Sequence, residues 1–315
     1  MIYNKYSDFL KEKYGTKVYK LPINIPVSCP NRDGVISTGG CTYCGDIGAG
    51  FECLSSFLSV QNQLETNMEK IKKKYKAEKF IAYFQNYSNT YLPPDIFRQY
   101  MEESIQKDIV EIAISTRPDC INDEYLEILD EISKQHEVHI CIELGLQTVN
   151  YKSLIEINRG HTLAEFIDAV MRIKNFGFDI CTHVILNLPY DNMIDVIETA
   201  KIISALQIPL VKIHALYIVK NTKLAEDYLS GLQLISKNEY IERVITFLEY
   251  LSNSVFLERL IGRAPANETL FVNWGTSWWK IHEEIEQIML RDNRFQGKYF
   301  DYTNGKVLKA AKFLH

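Results

Sequence analysis

The chain has 315 residues, 46% of them hydrophobic, and a formal net charge of −5 at pH 7. That content can bury a sizeable core and excludes a disordered chain, while the acidic balance excludes a general positive field toward nucleic acid or anionic membrane. Seven cysteines, no apolar signal region in MIYNKYSDFLKEKYG, and no apolar run of about 18 residues lead to the expectation of a cytoplasmic protein. Its thiols would be reduced or metal-bound, with no membrane span.

From Lys17 onward, short apolar runs rich in β-branched residues alternate with segments of helical period, the pattern of repeated βα units. The first strand is KVYKLPINIPV, followed by a cysteine-bearing loop and a helix near 60–76. FIAYFQ (80–85) then leads to a helix near 93–106, for which Pro93 and Pro94 suit the start. VEIAIST (110–116) precedes a helix near 122–135. VHICIELGL (138–146) precedes one near 162–175, opened by the capping-box pair Thr162 and Glu165. DICTHVILNLP (179–189) precedes a helix near 192–206, and LVKIHALYI (210–218) is the sixth strand. After Ser236 the rhythm changes to a helix, a short VFLERLI run, a Trp-rich segment and a helix over 277–291. This reads as an extension rather than a seventh unit. The expected fold is α/β, a partial (β/α)6 TIM-like barrel over 1–235, with a C-terminal α/β extension over 236–315 capping the substrate side.

In parallel α/β barrels the site forms where strands hand over to loops at their C-terminal ends, and the chemically informative residues fall there. The loop CPNRDGVISTGGCTYC after the first strand places Cys29, Cys41 and Cys44 together. Two answers compete. A structural zinc site wants four ligands, and Cys53 or a histidine would complete it. With three ligands, a [4Fe-4S] cluster keeps one iron open to a small molecule, and Gly34, Gly39 and Gly40 let the backbone wrap a bulky group. Catalytic metal sites keep a vacant position and structural ones do not.

Cys29, Cys41 and Cys44, with the aromatic Tyr43 inside the last pair, resemble the radical S-adenosylmethionine (SAM) enzymes, in the lengthened-spacing variant seen also in the catalytic subunit of Elongator. The strings CPNRDG, GGCTYC, AYFQNYSNT, ISTRPDC, ELGLQTV, INRGHT and VKIHALYIVKNT look like the YtqA/YhcC group, and the resemblance covers nearly the whole chain. It implies a partial barrel of the radical SAM type, a [4Fe-4S] cluster on Cys29, Cys41 and Cys44, and reductive cleavage of SAM to a 5'-deoxyadenosyl radical. A reductant such as flavodoxin or ferredoxin would supply the electron. It also implies tRNA as partner and wobble-uridine side-chain modification, at the step from carboxymethylaminomethyl to aminomethyluridine.

Residue by residue, the resemblance places Gln85, with Asn89 and Thr90 nearby, where relatives carry a glycine-rich motif for the methionine amino group, although the literal Gly-Gly-Glu is absent here. Glu143 and Gln147 look like polar contacts to ribose and methionine. Arg159 resembles the arginine that pairs with the SAM carboxylate, a task suited to its bidentate fork, and Arg117 adds charge nearby. Leu188 lies in the string that relatives hold close to adenine, where Gly-Leu-Pro is replaced by Asn187-Leu188-Pro189.

The remaining candidates have plainer readings beside functional ones. Cys120, Cys141 and Cys181 read as small buried hydrophobes. His183 and His214 face either the barrel interior or the core. The lysine run EKIKKKYKAEK is a solvated face or a phosphate-contacting patch. Trp274, Trp278 and Trp279 form an aromatic cap, or a stacking platform for a base with Arg259 and Arg263 at phosphates. Two other functions stay in view: radical chemistry on a small metabolite or protein, and a noncatalytic zinc-stabilised binding module.

Overall fold

The computed structural model describes residues 2–45, 52–264 and 268–309. Helix α1 (Tyr6–Tyr14) precedes strand β1 (Val18–Ile23), and five helix–strand repeats follow. They are α2 (Val60–Tyr75) with β2 (Lys79–Phe84), α3 (Pro94–Glu103) with β3 (Ile109–Thr116), and α4 (Asp123–His136) with β4 (His139–Gln147). Next come α5 (Tyr151–Glu156) and α6 (Leu163–Asn175) with β5 (Asp179–Ile185), then α7 (Met193–Ala205) with β6 (Leu210–His214). Beyond lie β7 (Ile218–Val219), α8 (Lys223–Leu229), α9 (Lys237–Tyr250), β8 (Phe256–Arg259), β9 (Thr269–Phe271), α10 (Trp278–Arg291) and α11 (Lys306–Lys309).

Local chemistry sets several of these boundaries. The capping box expected at α6 forms: Thr162 Oγ1 accepts from the Ala164 N–H at 3.2 Å and Glu165 Oε2 from the Thr162 N–H at 2.8 Å. Such a cap contributes about 1 kcal/mol. The same helix buries Phe166, Ala169, Val170 and Ile173, an i, i+3, i+4, i+7 stripe, and Phe166 alone contributes about 2–3 kcal/mol on burial.

Seven strands form one parallel sheet in the order β1-β2-β3-β4-β5-β6-β8. The expected partial barrel is present, but VFLERLI is not an appendage: its Phe256–Arg259 stretch pairs in parallel with β6 and makes a seventh strand after helix α9. The strand is four residues long and carries Glu258 and Arg259, so its apolar run is too short and too charged to announce a buried strand. The sixth run also differs. LVKIHALYI breaks after His214, and its tail becomes β7, paired antiparallel with β9.

Alternation along the strands decides what each face carries. Phe80, Ala82 and Phe84 of β2 join the large core beneath the helices, whereas Ile81 and Tyr83 join a second cluster with Tyr6 and Leu10 of α1. That second cluster takes Val18, Ile81, Ala113, Cys141, Cys181 and Leu210, one or more from each of β1 to β6. Six strands can meet one helix only if the sheet is curled. Helix α1, which also packs on both edge strands β1 and β8, therefore plugs the N-terminal end. Among the described residues no helix is long and apolar enough to cross a membrane.

Candidate active site

The inward face changes character in steps of two residues. Above the apolar plug, Lys20, Tyr83, Glu143, His183, Lys212 and Glu258 sit two positions beyond Val18, Ile81, Cys141, Cys181, Leu210 and Phe256. Lys20 Nζ binds both Glu143 and Glu258, while Lys212 Nζ lies 3.1 Å from Glu143 Oε2 and 2.7 Å from Glu258 Oε1. Two ammoniums and two carboxylates close a buried, balanced box over the Tyr83 ring, 4.9 Å from Lys20 and 4.7 Å from Lys212. Burial works against charge on Glu143, yet Lys20, Lys212 and the His183 N–H hold its carboxyl well below the usual carboxylate range.

Two residues further along the same strands, Gln85, Gly145, Ile185 and His214 border a cavity of about 580 Å³. Cys29, Cys41 and Cys44 line it from the loop after β1, with Tyr43, Arg117, Gln147 and Arg159. The loop is pinned to the segment after α5: Thr42 N–H donates to the Ile157 carbonyl at 3.0 Å, and Asn158 Nδ2 to Ser37 Oγ and the Gly40 carbonyl, both at 2.9 Å. The string INRGH is thereby locked to the cysteine loop. Each thiol faces a guanidinium. Arg117 Nη1 is 3.9 Å from Cys29 Sγ, Arg159 Nη1 is 3.7 Å from Cys41 Sγ, and Arg32 Nη1 is 3.7 Å from Cys44 Sγ. Asn31 Nδ2 stands 3.6 Å from Cys41 Sγ as well. Burial pushes the Cys44 thiol up to about 11; Cys41 adds to the rise and Arg32 opposes it.

Nine of the eleven residues expected at the site line this one cavity. Asn89 and Leu188 do not. Asn89 is fully buried, its Nδ2 donating to the Phe84 carbonyl at 3.1 Å and the Ser115 carbonyl at 2.8 Å, so it ties β2 to β3 instead of meeting a ligand. Leu188 lies in the apolar cluster against which Tyr43 packs and acts behind the wall. The departure at Asn187 has a structural role: its Oδ1 accepts from the Leu216 N–H at 2.6 Å and its Nδ2 approaches the Leu216 carbonyl at 3.4 Å, so the side chain ties the end of β5 to the segment after β6.

Of the other candidates, Cys141 and Cys181 are buried and Cys120 is half-buried. Cys53 Sγ stands 3.7 Å from Gln85 Oε1. Among the described residues no three His, Cys, Asp or Glu side chains close on one point as a single metal ion requires; Cys29, Cys41 and Cys44 border a common space without meeting. Trp278 lines the cavity mouth with Arg263 5.5 Å above its ring, and Trp279 is half exposed. Trp274 instead caps the fold, donating its indole N–H to the Ile235 carbonyl at 2.8 Å. The roles of Arg32, Lys20, Lys212 and Glu258 were missed. The signal for Lys20, Lys212 and Glu258 is a charge inside an apolar strand run, as in KVYKLPI, LVKIHAL and VFLERLI, whereas Arg32, in the loop string CPNRDG, carries no such signal.

From residue 24 to 203 the chain matches the Radical SAM superfamily, and from 208 to 291 the Radical_SAM C-terminal domain. YtqA of Bacillus subtilis is 31% identical over 300 residues, covering 95% of this chain and 92% of its own length. YhcC of Escherichia coli K12 is 29% identical over 296 residues, covering 93% and 94%. Among solved structures, Elp3 of the archaeon Methanocaldococcus infernus, with an N-terminal deletion, superposes with a TM-score of 0.69 at 15% identity, covering 89% of this chain and 64% of that chain. The chain thus spans less than two thirds of that structure. Methylornithine synthase superposes with a TM-score of 0.51 at 13% identity, covering 78% and 66%.

Proposed function

The chain belongs to the radical SAM superfamily, and from that premise we propose that Cys29, Cys41 and Cys44 hold the [4Fe-4S] cluster this family uses, with SAM in the same cavity. When bound, the cluster supplies the electron that cleaves SAM to a 5'-deoxyadenosyl radical able to take hydrogen from an unactivated C–H bond. The observation that carries the ligand assignment is the guanidinium opposite each of the three thiols. An anionic cluster needs such donors, because hydrogen bonds to its sulfurs and nearby positive charge set its potential. A four-iron cluster is also broader than one ion, in keeping with thiols that share a space without meeting at a point.

Arg159 makes no bond to a carboxylate among the described residues; its Nη2 donates to the Gly145 carbonyl at 2.9 Å and its Nε faces His161 Nε2 at 2.8 Å. A desolvated guanidinium held this way suits the SAM carboxylate. Gln147 sits beside it and would orient the methionine, while Tyr43, Gln85 and Arg117 border the space where the rest of SAM lies. Glu143 serves the buried charge box first, and any ribose contact comes from its cavity-facing edge. The segment 236–315 shapes the substrate entrance through Arg263 and Trp278.

For substrate, the reading is a tRNA wobble uridine, at the carboxymethylaminomethyl to aminomethyl step, in the cytoplasm and with flavodoxin or ferredoxin as reductant. Likeness to the YtqA/YhcC group across nearly the whole chain supports it. Modification mapping of tRNA from a deletion strain tests it: the aminomethyl-type derivatives should fall and the carboxymethylaminomethyl form rise, and an unchanged wobble profile removes the proposal. The net charge of −5 favours a second reading, a small metabolite or a protein side chain. Binding of bulk tRNA at low salt separates the two, since phosphate contacts must weaken as salt rises.

A further inference from the structure

Three of the cationic side chains lining the cavity are matched by carboxylates, and Arg159 is assigned above to the SAM carboxylate. Lys212 pairs with Glu143 and Glu258, Arg117 with Asp119 at 2.7 Å, and Arg263 with Glu52 at 3.8 Å. Arg259, at the end of β8, is not. Its Nη2 is 2.6 Å from His214 Nδ1 and 3.3 Å from His214 Nε2, its Nε is buried without a partner, and no carboxylate stands within ion-pair distance among the described residues. Gly262 makes room for this placement: a Cβ there would stand 2.9 Å from Arg259 Cζ and 3.1 Å from both terminal nitrogens.

His214 does not neutralise the guanidinium. Burial pushes its imidazole well below the usual range and Arg259 adds to the effect, while burial also lowers His183. Two neutral rings give one consistent polarity. His214 Nδ1 accepts from Arg259, His214 Nε2–H donates to His183 Nδ1 at 3.3 Å, and His183 Nε2–H donates to Glu143 Oε2 at 2.7 Å. The chain fixes the guanidinium from behind through Nη2 and leaves its charge and Nη1 for a visitor. A desolvated cation without an anion is costly, so such a group persists where a ligand completes it.

We propose that Arg259 is the receptor for a carboxylate carried by the substrate, held by a guanidinium fork that His214 positions. The inference deepens the wobble-uridine reading and rests on it for the identity of the substrate, whose carboxymethyl arm ends in a carboxylate. Arg159 and Arg259 then divide the work, one for the SAM carboxylate and one for the substrate's.

The test is calorimetric binding of 5-carboxymethylaminomethyluridine and of its methyl ester to the reconstituted full chain, with SAM present. Wild type should prefer the acid over the ester by about 10- to 100-fold, the range of a charge-assisted pair. Arg259→Gln should abolish the preference, Arg259→Lys should keep part of it, and Gly262→Ala, which displaces the guanidinium, should reduce it. The preference is a ratio within one preparation, so partial misfolding of a variant does not imitate its loss. Equal binding of acid and ester by wild type overturns the carboxylate receptor and leaves the wobble-uridine reading standing. If neither nucleoside binds, N-acetylglycine against N-acetylglycinamide, followed by ligand-observed NMR, decides the receptor alone: an acid preference lost in Arg259→Gln supports it, and none overturns it, while the wobble-uridine reading is decided separately by the tRNA mapping. A fall in SAM affinity in Arg259→Gln that matches the fall for the nucleoside also overturns it, because the guanidinium would then belong to SAM.

Discussion

Arg159 reaches Cys41 with one terminal nitrogen, 3.7 Å from Sγ, while the other donates to the Gly145 carbonyl at 2.9 Å. The second contact requires glycine at 145: a Cβ would stand 2.6 Å from Arg159 Nη2 and 2.7 Å from Gln147 Nε2. Both obstacles are the far ends of flexible side chains, so Gly145→Ala should fold with its melting temperature changed by only a few degrees. Its affinity for SAM should fall at least about tenfold, the worth of one charge-assisted bond. Equilibrium dialysis with SAM checks this, and unchanged affinity would detach Arg159 from the cofactor.

The box of Lys20, Lys212, Glu143 and Glu258 is balanced only when complete. Glu143→Gln leaves two buried ammoniums with one carboxylate and should cost about 3–5 kcal/mol, read by urea denaturation. The pH dependence has a definite sign. Glu143 is held below its ordinary value, so its contribution is fully present above about pH 4.5 and is lost as pH falls through its folded pKa. The variant should lose stability less steeply than wild type on acidification, and parallel curves would show that the box does not carry the charge.

Asp191 gives the opposite sign. Burial pushes its carboxyl up to about 6, against the Ser153 hydroxyl that donates to it. The folded state therefore prefers the protonated form, with a penalty that is fully present above pH 6 and relieved as pH falls toward 3.8. Asp191→Asn should raise stability at pH 7 by about 1–3 kcal/mol and lose that gain near pH 4. A gain that does not depend on pH would mean burial is not the cause.

The sequence carried the six βα repeats, the convergence of site residues at strand ends and the cysteine loop, because hydrophobic period and thiol spacing are local signals. It did not carry the seventh strand, whose four residues include Glu258 and Arg259, nor helix α1, whose Tyr6 and Leu10 find their partners on strands distant in sequence. The charge box was invisible for the same reason. A lysine on β1 meets glutamates on β4 and β8 only once the sheet curls. Asn89 and Leu188 were placed in the site by position in a string, but the direction of a side chain at a strand end depends on which neighbour offers a carbonyl or an apolar pocket.

Trp274 and Trp279 of the C-terminal segment should separate by their contribution to stability. Trp274 packs 5.0 Å from the Tyr240 ring and edge-on to Phe271 at 5.6 Å, with its N–H bonded, so Trp274→Ala should cost about 3–5 kcal/mol. Trp279 is half exposed, so Trp279→Ala should stay within about 0.5 kcal/mol. Thermal unfolding of the two variants distinguishes a cap from a surface; equal losses would contradict the division.

The most direct test of the central claim is anaerobic reconstitution of wild type and Cys41→Ser, with iron counted and 5'-deoxyadenosine measured from SAM and dithionite. About four irons per chain and 5'-deoxyadenosine in wild type, with both lost in the variant, is the result predicted for a cluster on Cys29, Cys41 and Cys44. Wild-type protein that takes up one zinc and leaves SAM intact, or a Cys41→Ser variant that keeps both iron and cleavage, would contradict it.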